Sequence, residues 1–377
     1  MKTKKSGLDM RSAWIEIDSS AVRHNFRRIQ QASGTGKVLA VVKDNAYGHG
    51  AVEISRVLSA EGVFMLGVSS PGEALELKVA GIKVPVLVLS PLLPEDAEKA
   101  VRLNVRTAVD NLAFAQALNR SAQKQHRKVF VHLKVDTGMC RFGVQPEDVL
   151  VLAQKIYSLP GIVLEGVFTH LAAADMPDNS MNKEQMKKFT GIIQELKGAG
   201  IEFPLCHAAN SSAIAFQPEF CFNVVRPGLA LYGLGTSEAM KQKLGIKPVL
   251  SLKAKVMSVR DILPGCSISY GATFTAEKAM KIAVAGIGYG DGYNRLLSNK
   301  GEMLIKGSRV RIIGRVCMDQ TMVDVSDVAS VKPGDEVVVI GTQGKEKITA
   351  EDIAEKVDTI SYEVVCNLNQ RLRRCCG

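Results

Sequence analysis

Eight short apolar runs recur along the first two thirds of the chain, each followed by a stretch with helical character. They are VLAVVK (38–43), FMLGVS (64–69), PVLVLS (85–90), VRTAVD (105–110), VFVHLKVD (129–136), LEGVFTHL (164–171), LCHAAN (205–210) and NVVRPG (223–228). Segments such as PGEALELKVAG, NLAFAQALNRSAQK and MNKEQMKKFTGIIQELKGAG between them are amphipathic at helical spacing. Ser19 or Ser20 can cap a first helix through AVRHNFRRIQQA. Eight strand–helix alternations predict an α/β chain with a parallel (β/α)8 TIM-like barrel over residues 19–238. From about residue 240 the pattern changes to VLSLKAKVMSVRDIL, KIAVAGIGYGDGY, GEMLIKGSRVRIIGRV and GDEVVVIG, broken by glycine turns. This predicts a mostly antiparallel β domain over 239–377, with one helix capped by Thr349.

Composition narrows the class. The 377 residues suffice for two or three domains. No apolar run reaches the ~18–20 residues that span a bilayer, and the opening MKTKKSGLDM is basic without an apolar core, so no membrane or secretory role is expected. The net charge of +10 is spread over short runs (KTKK, KQHRK, RLRR) with no nucleic-acid motif, which argues for a solvated surface that attracts small anions. Eight cysteines show no metal spacing; most are expected as small core residues in a reducing cytoplasm, with Cys375-Cys376 an exposed tail. His24, His126 and His132 have no partners at ligand spacing, so no metal is expected. His49 is expected to support the loop after the first barrel strand, and His207 a phosphate end.

Function in such a barrel sits at the C-terminal strand ends. Lys43, Arg141, His170, Asn210, Ser211 and Arg226 all fall there. Lys43 follows an apolar strand and precedes a polar turn, which suits an amine that must lose its proton and attack an aldehyde. The loops after strands 7 and 8 are the usual phosphate site, and Ser211, Gly228 and Leu229 suit it. Together these parts predict a pyridoxal 5′-phosphate enzyme with Lys43 as its Schiff-base lysine.

The ordered motifs VVKDNAYGHG, KVDTGMCRFG, FTHLAAAD, HAANSS, VRPGLALYG, SYGATF, CMDQ and ISYEVVC span nearly the whole chain and closely resemble those of bacterial alanine racemases. The resemblance implies racemisation of L- and D-alanine by two bases, Lys43 and Tyr270, through an aldimine and a Cα carbanion. It implies that His170, Asn210, Ser211, Arg226, Gly228, Leu229, Tyr47 and Tyr362 hold the cofactor, with Arg226 on the pyridine nitrogen. An arginine can only donate, so it must face an unprotonated nitrogen and weaken the electron sink, which disfavours transamination. Arg141, Met318 and Asp319 are implied at the substrate, and Asp175, Tyr289, Arg295, Arg315 and Ile360 along its corridor. Lys134 matches a lysine that can be carbamylated to orient Arg141. The first strand, and hence residues 1–18, is implied to join the β domain. Tyr270 and Met318 would reach the site of a second subunit, which makes the enzyme a homodimer. One departure stands out: Met139-Cys140 replaces the family's more common Met-Gly. Serine or broad-specificity racemases, a fold-related decarboxylase of basic amino acids and a non-enzymatic cofactor carrier are the alternatives. The decarboxylase would want a carboxylate in place of Arg226, and the carrier would lack the β domain.

Overall fold

The computed structural model describes residues 11–377, so the basic opening lies outside the described residues. The chain divides into two compact units. One comprises Ser20–Ala46 and Ala51–Pro248; the other comprises the stretch ending at Ser19, Tyr47–Gly50 and Val249–Gly377.

After β1 (Ala13–Ile17), the chain enters the first unit with β2 (Leu39–Val41), β3 (Met65–Val68), β4 (Val86–Val88), β5 (Arg106–Val109), β6 (Val129–Lys134), β7 (Ile162–Phe168) and β8 (Leu205–His207). These seven pair in sequence order, all parallel. The eighth expected strand is reduced to a single bridge, Val38 to Val225. It still closes the ring: the Leu39 N–H donates to Val225 O and the Val41 N–H to Pro227 O, each at 2.9 Å, while the Arg226 N–H donates to Ala209 O at 2.9 Å. Pro227 has no N–H, so this strand cannot donate beyond Arg226 and Pro227 contributes only its carbonyl. Leu39, Leu66, Val86, Leu87, Ala108, Val131, Leu133 and Val167 are buried in this sheet.

The helices begin where the sequence supplies caps. Ser70 accepts the Glu73 N–H ahead of Pro71–Val79, which has proline in its first turn, and Asn111 caps Leu112–Lys124. Helix Ser19–Ser33 begins at Ser19, so both serines lie in its first turn rather than before it. Helix Ser180–Gly198 buries Met186, Phe189, Ile192 and Leu196, one stripe of a long amphipathic face.

The hub of the second unit is β9 (Leu250–Ile262). Its alternate residues Leu250, Leu252, Ala254 and Val256 are buried. β9 pairs antiparallel with β1, with Glu336–Gln343 and, along its second half, with Met280–Ala285. β1 pairs in parallel with Arg373–Cys376 on its other side. The cysteine tail is therefore a strand, with Cys375 opposite Glu16. None of the eight free cysteines is buried, contrary to the expected core role. Cys206 shows the reason: it sits between the inward-facing Leu205 and His207 and so points the other way. Thr349 caps Ala350–Lys356 in a capping box with Asp352, and a further helix, Ser361–Cys366, carries Tyr362. Among the described residues no helix is long and apolar enough to cross a membrane.

Candidate active site

Lys43 leaves the buried end of β2 and is half-buried, its side chain 39% exposed with Nζ 3.4 Å from the Asp44 carboxylate. The next four residues, Asp44 to Tyr47, all have φ of 52–53°. Consecutive left-handed residues without glycine are costly, at about 1–2 kcal/mol each, so the surroundings must impose them. Glu73 does much of this in the barrel unit. Its carboxylate accepts the Asp44 N–H at 2.7 Å, the Ser69 N–H at 2.6 Å and the Ser69 hydroxyl at 2.8 Å. Asn45 Oδ1 accepts the Ala51 N–H at 2.8 Å, and the buried Tyr232 hydroxyl donates to Val41 O at 2.7 Å. Glu73 escaped the sequence reading; its place three residues after a capping serine looks like ordinary helix chemistry.

Arg226 is buried, and its guanidinium donates to Thr169 O (2.7 Å), Ala208 O (2.9 Å), His207 Nδ1 (3.0 Å) and His170 Nδ1 (3.2 Å). No carboxylate is among these partners, and Nε makes no hydrogen bond among the described residues. Burial pulls the group down to about 9, still a cation at neutral pH. Phe168 lies under this cluster, stacked on His207 with Arg226 and Lys134 over its ring at 5.4 and 4.7 Å. Lys134 is buried, and burial, then Arg226 and Arg141, bring its ammonium down to about 7. Burial, then Arg226, Lys134, Arg141 and Lys43, hold His170 well below the usual histidine range. Four cations thus bear on one imidazole at the strand ends, an arrangement that calls for anions.

Ser211 and Asn210 serve the backbone more than expected. Asn210 caps helix Ser211–Phe216 through the Ala213 N–H, and Ser211 Oγ accepts the Gly228 and Ala230 N–H groups at 3.0 and 3.2 Å. Among the described residues the Ser211 hydroxyl hydrogen and the Leu229 N–H have no acceptor, which suits a ligand oxygen. His207, expected at the phosphate end, instead abuts Arg226.

Arg141 is exposed, on a loop held by Asp136, whose Oδ1 accepts the N–H groups of Gly138, Met139 and Cys140 at 2.9–3.1 Å. Cys140, the departure from the family pattern, has φ 55°, the conformation a glycine there would take without strain. Gln185 was not foreseen; it bonds Thr137 Oγ1 and His170 O, joining the loops after β6 and β7. Gly143 has φ 123°, and a Cβ there would lie 2.5 Å from Asp136 N. Gly143→Ala should therefore cost at least about 2 kcal/mol, read as a lowered Tm. An unchanged Tm would show that the Arg141 loop is not held this way. Asp175 is exposed on the loop after β7.

The β unit carries the remaining expected residues. Tyr270 opens a short turn and is 72% exposed; Met318 is 55% exposed, and Tyr289, Arg295 and Ile360 are also exposed. Arg315 is half-buried against Gly271, and its carbonyl accepts the Ser269 hydroxyl at 2.7 Å. Asp319 is engaged: Arg11 and Arg371 each reach it at 3.0 Å while also pairing with the fully buried Asp291. Hydrogen bonding from Arg11 is the main pull holding the Asp319 carboxyl below its usual range.

The donor set fits pyridoxal 5′-phosphate: a half-exposed amine on Lys43, a buried donor-only group on Arg226 whose Nε–H has no partner among the described residues, and cations for a phosphate and a carboxylate.

Comparisons with known proteins follow the same lines. The family models "Alanine racemase, N-terminal domain" and "Alanine racemase, C-terminal domain" match residues 17–236 and 249–376. The alanine racemase of Halothermothrix orenii is 42% identical over 365 residues, 97% of this chain and 96% of that protein. That of Methanococcus maripaludis is 43% identical over 364 residues, 96% and 97% of the two chains. Among solved structures, the alanine racemase of Clostridium difficile 630 superposes with a TM-score of 0.92 at 36% identity, covering 97% of this chain and 96% of that one. The enzyme from D-cycloserine-producing Streptomyces lavendulae gives 0.92 at 32% identity, covering 97% of each chain.

Proposed function

The chain belongs to the alanine racemase family and is an isomerase acting on alanine, and from that premise we propose that it works with pyridoxal 5′-phosphate by a two-base route. The observation that carries this reading is Arg226, a buried cation without a carboxylate partner among the described residues. When bound, the cofactor supplies an electron sink for the pair left at Cα, weakened by facing a donor instead of an acid. Lys43 Nζ holds the cofactor and carries the α-proton on one face; the partner subunit's Tyr270 carries it on the other. The Ser211 hydroxyl, the Gly228–Leu229 turn, Tyr47 and Tyr362 hold the phosphate, with Asn210 setting the turn and His170 supporting Arg226. Arg141 and the backbone of the partner subunit's Met318 take the substrate carboxylate. Asp319 fixes that loop through Arg11 and Arg371. Asp175, Tyr289, Arg295, Arg315 and Ile360 line the approach. We assign the enzyme to the cytoplasm, consistent with its eight free thiols.

A homodimer follows from the same reading. Tyr270, Tyr289, Met318 and Ile360 are large side chains left exposed on one unit, as an interface would require. Dilution to the monomer should abolish activity per chain; constant activity would remove the shared site.

Lys134, at about 7, is a nucleophilic amine at neutral pH next to cations. Its carbamate would pair with Arg141, so the intact mass under native conditions should carry one carbon dioxide, absent from Lys134→Ala. A bare mass for both would reject the modification.

The direct test is proton exchange in heavy water with L- and D-alanine separately. Interconversion in both directions with deuterium at Cα and no carbon dioxide is expected. Decarboxylation, or cofactor binding without exchange, would overturn the reading.

A further inference from the structure

The barrel interior holds a line of polar side chains that ends on Arg226. Arg106, the first residue of β5, holds Glu165 of β7 in a two-point contact, Nε to Oε2 at 2.5 Å and Nη2 to Oε1 at 2.8 Å. Glu165 Oε2 lies 3.1 Å from His132 Nε2, His132 Nδ1 lies 2.7 Å from His207 Nε2, and His207 Nδ1 lies 3.0 Å from Arg226 Nη1. Both histidines are fully buried. Burial keeps both neutral, although Glu165 opposes this at His132.

One fact orients every bond. A guanidinium only donates, so His207 must accept at Nδ1 and carry its hydrogen on Nε2. That hydrogen goes to His132 Nδ1, which places the His132 hydrogen on Nε2, facing a carboxylate that only accepts. A donor-only group at one end and an acceptor-only group at the other enforce the same direction. Burial opposes ionisation of Glu165, but the hydrogen bonds from His132 and Arg106 prevail and hold it near 2, so it stays an acceptor throughout the working range.

We propose that Glu165 is a positioning residue for racemisation: through His132 and His207 its carboxylate fixes Arg226 as a one-way donor toward the cofactor. The proposal rests on the role given to Arg226 above. Without the carboxylate the chain of imidazoles can reverse. His207 would then present Nδ1–H to the Arg226 N–H, two donors face to face, and the guanidinium would have to turn away.

The test is nitrogen-15 solid-state NMR of the cofactor-loaded enzyme labelled at its six histidines, with His132→Gln and His207→Gln for assignment. Wild type should show both rings as neutral Nε2–H forms. Glu165→Gln should show mixed tautomers at both rings, a shifted cofactor absorbance, and a kcat lowered about 2- to 30-fold in both directions with KM little changed. Glu165→Asp, which keeps an acceptor-only end, should retain the wild-type tautomers. An Nδ1–H or charged ring in wild type would overturn the proposal without any variant. So would wild-type tautomers in folded Glu165→Gln, or mixed tautomers with an unmoved cofactor absorbance. Failure of the underlying reading is distinct, because it would appear in wild type as absent racemisation.

Discussion

Replacing Lys43 with alanine is expected to lower racemisation by at least about 10⁴-fold, since both a covalent anchor and a base are lost. The visible absorbance of lysine-bound cofactor should vanish with it. Two amines compete for the anchoring role. Lys134, brought down to about 7, readily gives a free amine near neutral pH. Geometry decides the other way: Lys134 is buried over the face of Phe168, whereas Lys43 stands half-exposed at the end of β2. Among the described residues the Lys43 amine makes a single loose ion pair, with Asp44 at 3.4 Å, so its removal should not disturb folding. Lys43→Ala that kept the absorbance would hand the anchor to Lys134. Lys43→Ala that kept two-way activity would end the covalent reading altogether.

Tyr270→Phe should separate exchange from inversion. Removing one base should cost about 10²–10⁴-fold in racemisation, equally from L- and from D-alanine, because each direction uses both groups. One enantiomer should nevertheless still exchange its α-proton with solvent, through Lys43. Tyr270 is exposed and its hydroxyl makes no hydrogen bond among the described residues, so the loss would report chemistry, not stability. Chiral analysis alongside deuterium incorporation reads both quantities in one experiment. Undiminished racemisation by the Phe variant would exclude Tyr270 as a base.

The parts legible in the sequence are those with local signals. Strands buried on both faces give continuous apolar runs, and a lysine or arginine placed just after such a run lands at the barrel mouth. The cap at Thr349 read correctly because capping acts over three residues. The eighth strand read too long because Pro227 removes a ladder donor while leaving the apolar run intact. The cysteines were misplaced because hydrophobicity does not say which face of a strand a small residue takes.

Other features had no local signature. Asp291 and Asp319 meet Arg11 and Arg371 from distant parts of the chain, and only the sheet of the second unit unites them. The line from Glu165 to Arg226 did leave a trace. His132 and Glu165 sit inside runs that otherwise read as buried strand, and a buried polar group requires a partner. Asking which strands could supply that partner would have paired β6 with β7 and β8.

The mirror-image turn after Lys43 has a consequence for how this enzyme fails. Asp44 to Tyr47 hold a conformation that their own stereochemistry opposes, so nothing local restores it once the bonds from Glu73 loosen. Relaxation toward the ordinary right-handed basin needs no strand to part. Inactivation should therefore precede unfolding: along a urea gradient, catalytic competence would fade while the circular dichroism of the barrel still reads native.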